Sequence, residues 1–226
     1  MPDGASRKVI LVTGPPGAGK STALLALDRV YSNLGRFGVR DYGLKLAAAG
    51  DPLGLEMRDT LLRQERLTNE LVLREFIHFL DNLPAAVRFV AVEGYPRDTQ
   101  QCDDLLRAAS DWGAQVTGFV VVEVPDSVAR ERVANRRLCL ACGATTDNSI
   151  GPSCPDCGGA IIRRRDDDAA EFERRLAEFH DMNRALCAYF TERSLLRVVD
   201  GMLPAKGLRE SLRAALFAED KAELAE

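Results

Sequence analysis

The chain has 226 residues, 46% of them hydrophobic, and a formal net charge of −4. That length and apolar supply suit one sizeable α/β domain with room for a small insert. The acidic balance argues against a protein held to nucleic acid by a general basic field. No apolar run is long enough to span a bilayer, and the first six residues lack the basic and apolar regions of a signal peptide. A cytoplasmic location is expected, and there six cysteines do not read as a disulfide framework.

In chain order, an apolar strand is expected at Lys8–Thr13, running into Gly14-Pro15-Pro16-Gly17-Ala18-Gly19-Lys20-Ser21-Thr22. This stretch fits the G-x-x-x-x-G-K-[S/T] phosphate loop, and a helix-forming run to Leu27 follows it. Backbone N–H groups must wrap closely around phosphates, which is why Gly17 and Gly19 carry no side chain and Ala18 a small one. Lys20 supplies a point charge, Ser21 offers a hydroxyl to Mg²⁺, and the helix N-terminus at Thr22 adds its dipole. Further strands are expected at Gly38–Arg40, Phe89–Val92, Phe119–Val124 and Arg197–Val199. Helices are expected at Leu55–Arg66, Glu70–Leu80, Thr99–Ala109, Ser127–Arg136, Ala170–Leu195 (two helices or one with a bend) and Leu208–Ala222. Near-continuous apolar strands alternating with helices imply a doubly wound α/β fold. Its parallel five-stranded sheet carries helices on both faces and binds ligands at the strand C-termini.

Two segments interrupt this rhythm. Residues 39–68 read as mostly helical. Residues 138–163 are rich in Cys, Gly and Pro, and hold Cys139-x-x-Cys142-Gly143 and Cys154-x-x-Cys157-Gly158. Two C-x-x-C knuckles present four sulfurs to one ion, and the glycines let the backbone turn back toward the thiolates. A tetrahedral Cys₄ site follows, with zinc as the favoured metal. Four protein ligands leave no open position, so the metal is expected to be structural. Cys102 and Cys187 fall in helical stretches and read as packing residues.

Taken together, the phosphate loop, Glu93-Gly94-Tyr95-Pro96-Arg97, Asn135-Arg136-Arg137, the cysteine insert and Arg164-Arg165-Asp166-Asp167-Asp168 with Arg175 resemble the adenylate kinases. The closest form is the one with a long Cys₄ zinc lid, and the likeness runs from about Lys8 to about Leu216. The resemblance implies transfer of the γ-phosphoryl group of ATP, with Mg²⁺, to a nucleoside monophosphate under a closing lid. It divides the chain into a core (1–38, 69–135 and 169–226), a monophosphate-binding insert (39–68) and a zinc-binding lid (136–168). It also implies a monomer whose partners are small nucleotides, with no nucleic acid and no membrane.

Residue by residue, the resemblance implies that Arg132 meets the adenine of ATP and Arg136 the transferred phosphate. Arg164 and Arg175 reach phosphates of both nucleotides, oriented by Asp166 and Asp167. Arg97 grips the acceptor phosphate, Gln101 reads the acceptor base, and Asp41, Lys45, Leu67 and Gly94 complete the monophosphate side. Glu93 stands where the family usually carries Asp and holds Mg²⁺ through water together with Ser21. Lys20, Arg97, Arg136, Arg164 and Arg175 form the implied catalytic set. Arginine suits these tasks because its planar fork pairs with phosphate at two points.

The acceptor segment departs from the family pattern. Val39 replaces a hydroxyl residue, Arg40 a glycine and Leu44 an arginine, so one phosphate-gripping group is missing unless Lys45 or Arg40 takes over. Three readings follow: a nucleoside monophosphate kinase directed at AMP or another monophosphate, a kinase for an unusual phosphorylated acceptor, and a non-catalytic nucleotide-binding protein. A nucleic-acid-binding ATPase that used the knuckles as a reader would need a basic, aromatic knuckle surface, and residues 143–153 are neither.

Overall fold

The computed structural model describes residues 7–63, 65–139, 141, 145–146, 151–163 and 167–218. Five parallel strands form the sheet: β1 (Arg7–Thr13), β2 (Leu34–Gly38), β3 (Phe89–Glu93), β4 (Ala114–Glu123) and β8 (Leu196–Asp200), in the spatial order β2-β3-β1-β4-β8. Successive side chains of a strand face opposite ways, and β1 shows the result. Its Val9 and Leu11 join one apolar cluster with Phe76, Leu105 and Phe190, while Ile10 and Val12 join another with Leu24, Leu212 and Phe217. Helices α4 (Asn69–Asp81), α5 (Thr99–Asp111) and α7 (Ala169–Thr191) therefore cover one face, and α1 (Lys20–Asp28) and α8 (Ala205–Leu216) the other. A sheet buried on both faces is the doubly wound architecture expected.

Local chemistry sets the helix starts. Asp51, Thr68, Asp98 and Asp168 each accept a backbone N–H in the first turn of α3 (Pro52–Leu62), α4, α5 and α7. Helix α2 (Val39–Ala48) packs across α3 so closely that a Cβ at Gly54 would fall 2.2 Å from the Ala47 backbone nitrogen. Helix α6 (Asp126–Asn135) joins α7 through Ala129, Val133, Phe172 and Leu176.

Three expectations need correction. The second strand is Leu34–Gly38, and Val39 and Arg40 open α2; Leu-Gly-Arg-Phe-Gly has weak strand propensity and holds its form by pairing with β3. Strand β4 starts five residues earlier than its apolar run, because Ala114–Val116 pair with the beginning of β1 despite their polar neighbours. Helix α7 is one helix of 23 residues rather than two.

Within the insert, β5 (Arg137–Cys139) pairs antiparallel with β6 (Thr145–Thr146) on one side and β7 (Ile161–Ile162) on the other. Among the described residues no helix is long and apolar enough to cross a membrane.

Candidate active site at the carboxyl end of the sheet

The loop after β1 opens α1 through Gly19, whose φ of +90° is a left-handed conformation that glycine adopts without strain. Gly17 is also left-handed, and a Cβ there would lie 2.6 Å from the Ala129 carbonyl oxygen. These glycines thus serve the close seating of the loop against α6 as well as any approach of phosphate. The N-terminus of α1 carries no side-chain cap.

Lys20 Nζ folds back to donate to the carbonyls of Gly14 (2.8 Å) and Pro15 (3.0 Å). Burial lowers its pKa to about 8; Glu93 opposes that shift, whereas the nearby Arg175 and Arg136 add to it. The fold therefore gathers Lys20, Glu93, Arg136 and Arg175, drawn from four separate segments, around one point. Ser21 Oγ donates to Glu93 Oε1 at 2.5 Å, which ties the phosphate loop to the end of β3.

Beside this point stand the roots of the cysteine insert. Arg136 makes a bidentate pair with Asp167 through Nε (2.8 Å to Oδ2) and Nη2, and Asp167 is only 1% exposed. Arg163 donates to the Asp167 carbonyl at 2.8 Å, and Arg132 donates to the Gly201 carbonyl at 2.9 Å, linking α6 to the loop after β8. Arg174 pairs with Glu171 and Glu178 on its own helix, in keeping with a solvated face. Arg164 and Asp166 lie outside the described residues, as does Cys142.

On the opposite flank, Gly94 (φ +81°) leads into Arg97, whose Nε donates to the Gly94 carbonyl at 3.2 Å. Gln101 uses both ends of its amide internally: Oε1 accepts the Arg97 backbone N–H and Nε2 donates to Asn69 Oδ1, each at 2.7 Å. Any base read by Gln101 has to displace one of these bonds. Leu67 is half-buried ahead of the Thr68 cap, and Lys45 is exposed on α2. Burial lowers the Arg97 pKa, and Arg66 and Arg174 repel its charge while Glu178 offsets them. Glu178 Oε1 accepts from both Arg66 and Arg174 at 2.5 Å, so three guanidinium groups share this flank. Concentrated positive charge of this kind suits phosphate oxygens.

Arg36, on β2, went unrecognised in the sequence because the strand was expected to start four residues too late. Its Nη2 donates to Asp41 Oδ2 (2.6 Å) and Glu93 Oε2 (3.4 Å), with side-chain exposure of only 13%. Burial works against its charge, but Glu93 and Asp41 outweigh that and raise its pKa. Glu75 on α4 was missed too. It is fully buried with neither carboxyl oxygen in a well-formed hydrogen bond, and burial pushes its pKa up to about 9 against an opposing pull from the Gly43 backbone N–H. Only an acidic residue at an otherwise apolar α4 position could have hinted at it.

The sulfurs of Cys139, Cys154 and Cys157 lie within 4.8 Å of one another, with Cys139 and Cys157 at 3.5 Å. Gly158 (φ +75°) sends its N–H to the Cys154 carbonyl, closing the turn that brings Cys157 back toward Cys154. Three convergent thiols are a fitting donor set for zinc, an ion that takes four ligands in structural sites. His78 bonds Tyr42 and His180 bonds Asp126, so both histidines have structural partners.

A glycine loop opening a helix, a lysine and several arginines near a strand-end carboxylate, and an insert with three convergent thiols fit a phosphate-loop kinase. No protein-family profile matches the chain. Individual proteins do. It is 27% identical to the adenylate kinase of Carboxydothermus hydrogenoformans over 222 residues, covering 92% of this chain and 98% of that one. Identity is 28% to the adenylate kinase of Clostridium beijerinckii and 29% to that of Syntrophobacter fumaroxidans, each over 85% of this chain and at least 90% of theirs. These likenesses to adenylate kinases support a nucleoside monophosphate kinase enzyme.

Proposed function

We propose that the enzyme transfers the γ-phosphoryl group of ATP to AMP, forming two ADP, with another nucleoside monophosphate as the alternative acceptor. The observation that carries this reading is the convergence of Lys20, Arg136, Arg175 and Glu93 on one point at the strand ends. Phosphoryl transfer asks a protein chiefly for positioning and for positive charge around the equatorial oxygens, with water excluded.

In this reading the loop from Gly17 to Thr22 cradles the donor phosphates, and Lys20 turns from its own carbonyls to them. Arg132 flanks the donor base. Arg136, held by Asp167, and Arg175 balance the charge that develops on the moving group, with Arg164 joining them. On the acceptor side Arg97 takes the monophosphate, and Asp41, Lys45, Leu67, Gly94 and Gln101 shape its pocket. Mg²⁺ would be held near Ser21 and Glu93, where it would neutralise phosphate charge. Zn²⁺ would be held by Cys139, Cys142, Cys154 and Cys157 and would give the lid its shape. The division into core, insert (39–68) and lid (136–168) belongs to the same proposal.

The altered acceptor segment favours keeping a second reading, a kinase for a different phosphorylated acceptor, because Val39, Arg40 and Leu44 change the group that meets that substrate. Incubation with ATP, Mg²⁺ and AMP, with ADP quantified, tests the first reading. Two ADP per AMP consumed supports it, whereas ATP turnover independent of AMP contradicts it.

A further inference from the structure

Glu93 has both carboxylate oxygens engaged, and from opposite sides. Oε1 accepts from Ser21 of the phosphate loop, and Oε2 accepts from Arg36, which in turn grips Asp41 in the first turn of α2. An unbroken polar chain thus runs from the phosphate loop through Glu93 and Arg36 to the insert. Arg36 is the unusual member. A guanidinium carries five N–H donors, yet Nη2 alone makes both bonds to acids, and the buried Nε has no hydrogen-bond partner. An unpaired N–H on a buried cation is costly, and where it sits at the ligand-binding end of an open α/β sheet the missing partner is expected to be a ligand oxygen. The neighbouring charges are mixed: Asp28 faces both Arg36 and Lys45, so the site holds carboxylates that restrain the cation as well as a second cation.

Building on the phosphoryl-transfer reading, we propose that Arg36 binds the phosphate of the acceptor, and that Glu93 releases it for that task when the donor site fills. Arg40 and Lys45, the two cations within reach of the missing arginine in sequence, are exposed on α2, while Arg36 is largely buried and already aimed between Asp41 and Glu93. Without a donor, Glu93 competes for the Arg36 guanidinium. Once donor phosphates and their cation draw Ser21 and Glu93 toward the loop, the weaker 3.4 Å contact is the one to yield, while Asp41 keeps Arg36 in place. Donor and acceptor binding are then positively coupled, with equal coupling in both directions.

The test is calorimetric titration of AMP, CMP, UMP, GMP and dTMP, singly, into the protein. Each titration is run with and without Mg²⁺ and an ATP analogue whose γ-phosphate cannot be transferred. In the wild type the analogue is expected to tighten binding of the accepted monophosphate. Loss of a charge-assisted contact in Arg36→Gln should weaken that monophosphate about tenfold or more, and leave the affinity for the analogue within about twofold. Arg36→Lys keeps the charge without the fork and should lose less, which guards against a merely misfolded Gln variant. Glu93→Gln should tighten the monophosphate when no donor is present, a gain that a purely structural role of the pair would not produce. Unchanged monophosphate binding in Arg36→Gln, or equal losses of donor and acceptor affinity, would overturn the assignment while leaving the kinase reading intact. A wild type that binds the analogue but none of the five monophosphates would overturn both.

Discussion

The two sides of the candidate active site are built differently. The donor side is written in one contiguous stretch: nine residues from Gly14 to Thr22 supply the turn, the lysine, the hydroxyl and the helix start. The proposed acceptor side is assembled from distant pieces, with Arg36 from β2, Asp41 from α2, Asn69 from α4 and Arg97 and Gln101 from the segment after β3. A contiguous cradle has little room to vary, because each backbone N–H must stay within reach of the same phosphates. An assembled pocket can exchange one supplier for another, as proposed for Arg36 on β2 where an arginine on the helix is lacking.

The sharpest way to break this contrast is to compare a loss on each side. Lys20→Ala is expected to lower turnover by about 10²–10³-fold, because its charge faces the group that moves. Gln101→Ala should act mainly on the acceptor, with a loss of about tenfold in kcat/KM, on the scale of one uncharged hydrogen bond and the partners it leaves behind. Steady-state kinetics in both substrates measures this directly; equal losses would mean the two sides are not distinct.

Removal of metal probes the remaining segment. Because the thiol cluster holds together strands of only two or three residues, chelation should unfold residues 138–163 and open them to proteolysis. The five-stranded sheet, with its own two-sided core, should keep its far-ultraviolet signature. An insert that resists proteases after complete chelation would contradict a structural metal.

Smaller effects depend on pH. Lys20 has a pKa near 8 in the free protein, so donor affinity should weaken as pH rises through that value. Donor phosphates favour the charged ammonium, and binding above pH 8 should therefore take up a proton, visible as a buffer-dependent heat. Glu75 works in the opposite sense, on stability. Its folded pKa of about 9 lies above the ordinary 4.5, so between these values the folded state holds a proton that the unfolded state has lost. Stability from this group is complete below 4.5 and drains away as pH climbs toward 9. Glu75→Gln should remove that slope and raise the melting temperature at pH 8 by roughly 2–4 °C for each kcal/mol recovered.

Legibility in the sequence followed the same divide. The phosphate loop, the sheet and the cysteine pairs announce themselves because their chemistry depends on spacing along the chain. Expectation failed where a property is conferred by neighbours in space. Strand β2 is held by β3 rather than by its own Leu-Gly-Arg-Phe-Gly, and misplacing it hid Arg36. Asp167 was named as an orienting residue, but its near-complete burial against Arg136 is visible only in three dimensions. The internal use of the Gln101 amide could not be foreseen either, since Asn69 lies 32 residues away.

The most direct single measurement is ADP formation from ATP and Mg²⁺ with AMP, CMP, UMP, GMP and dTMP offered one at a time, expressed as kcat/KM for each acceptor. Rapid turnover with AMP is the expected result, and it would show that the acceptor side works without an arginine at position 44. Silence with all five, alongside intact binding of ATP, would contradict phosphoryl transfer to a nucleoside monophosphate.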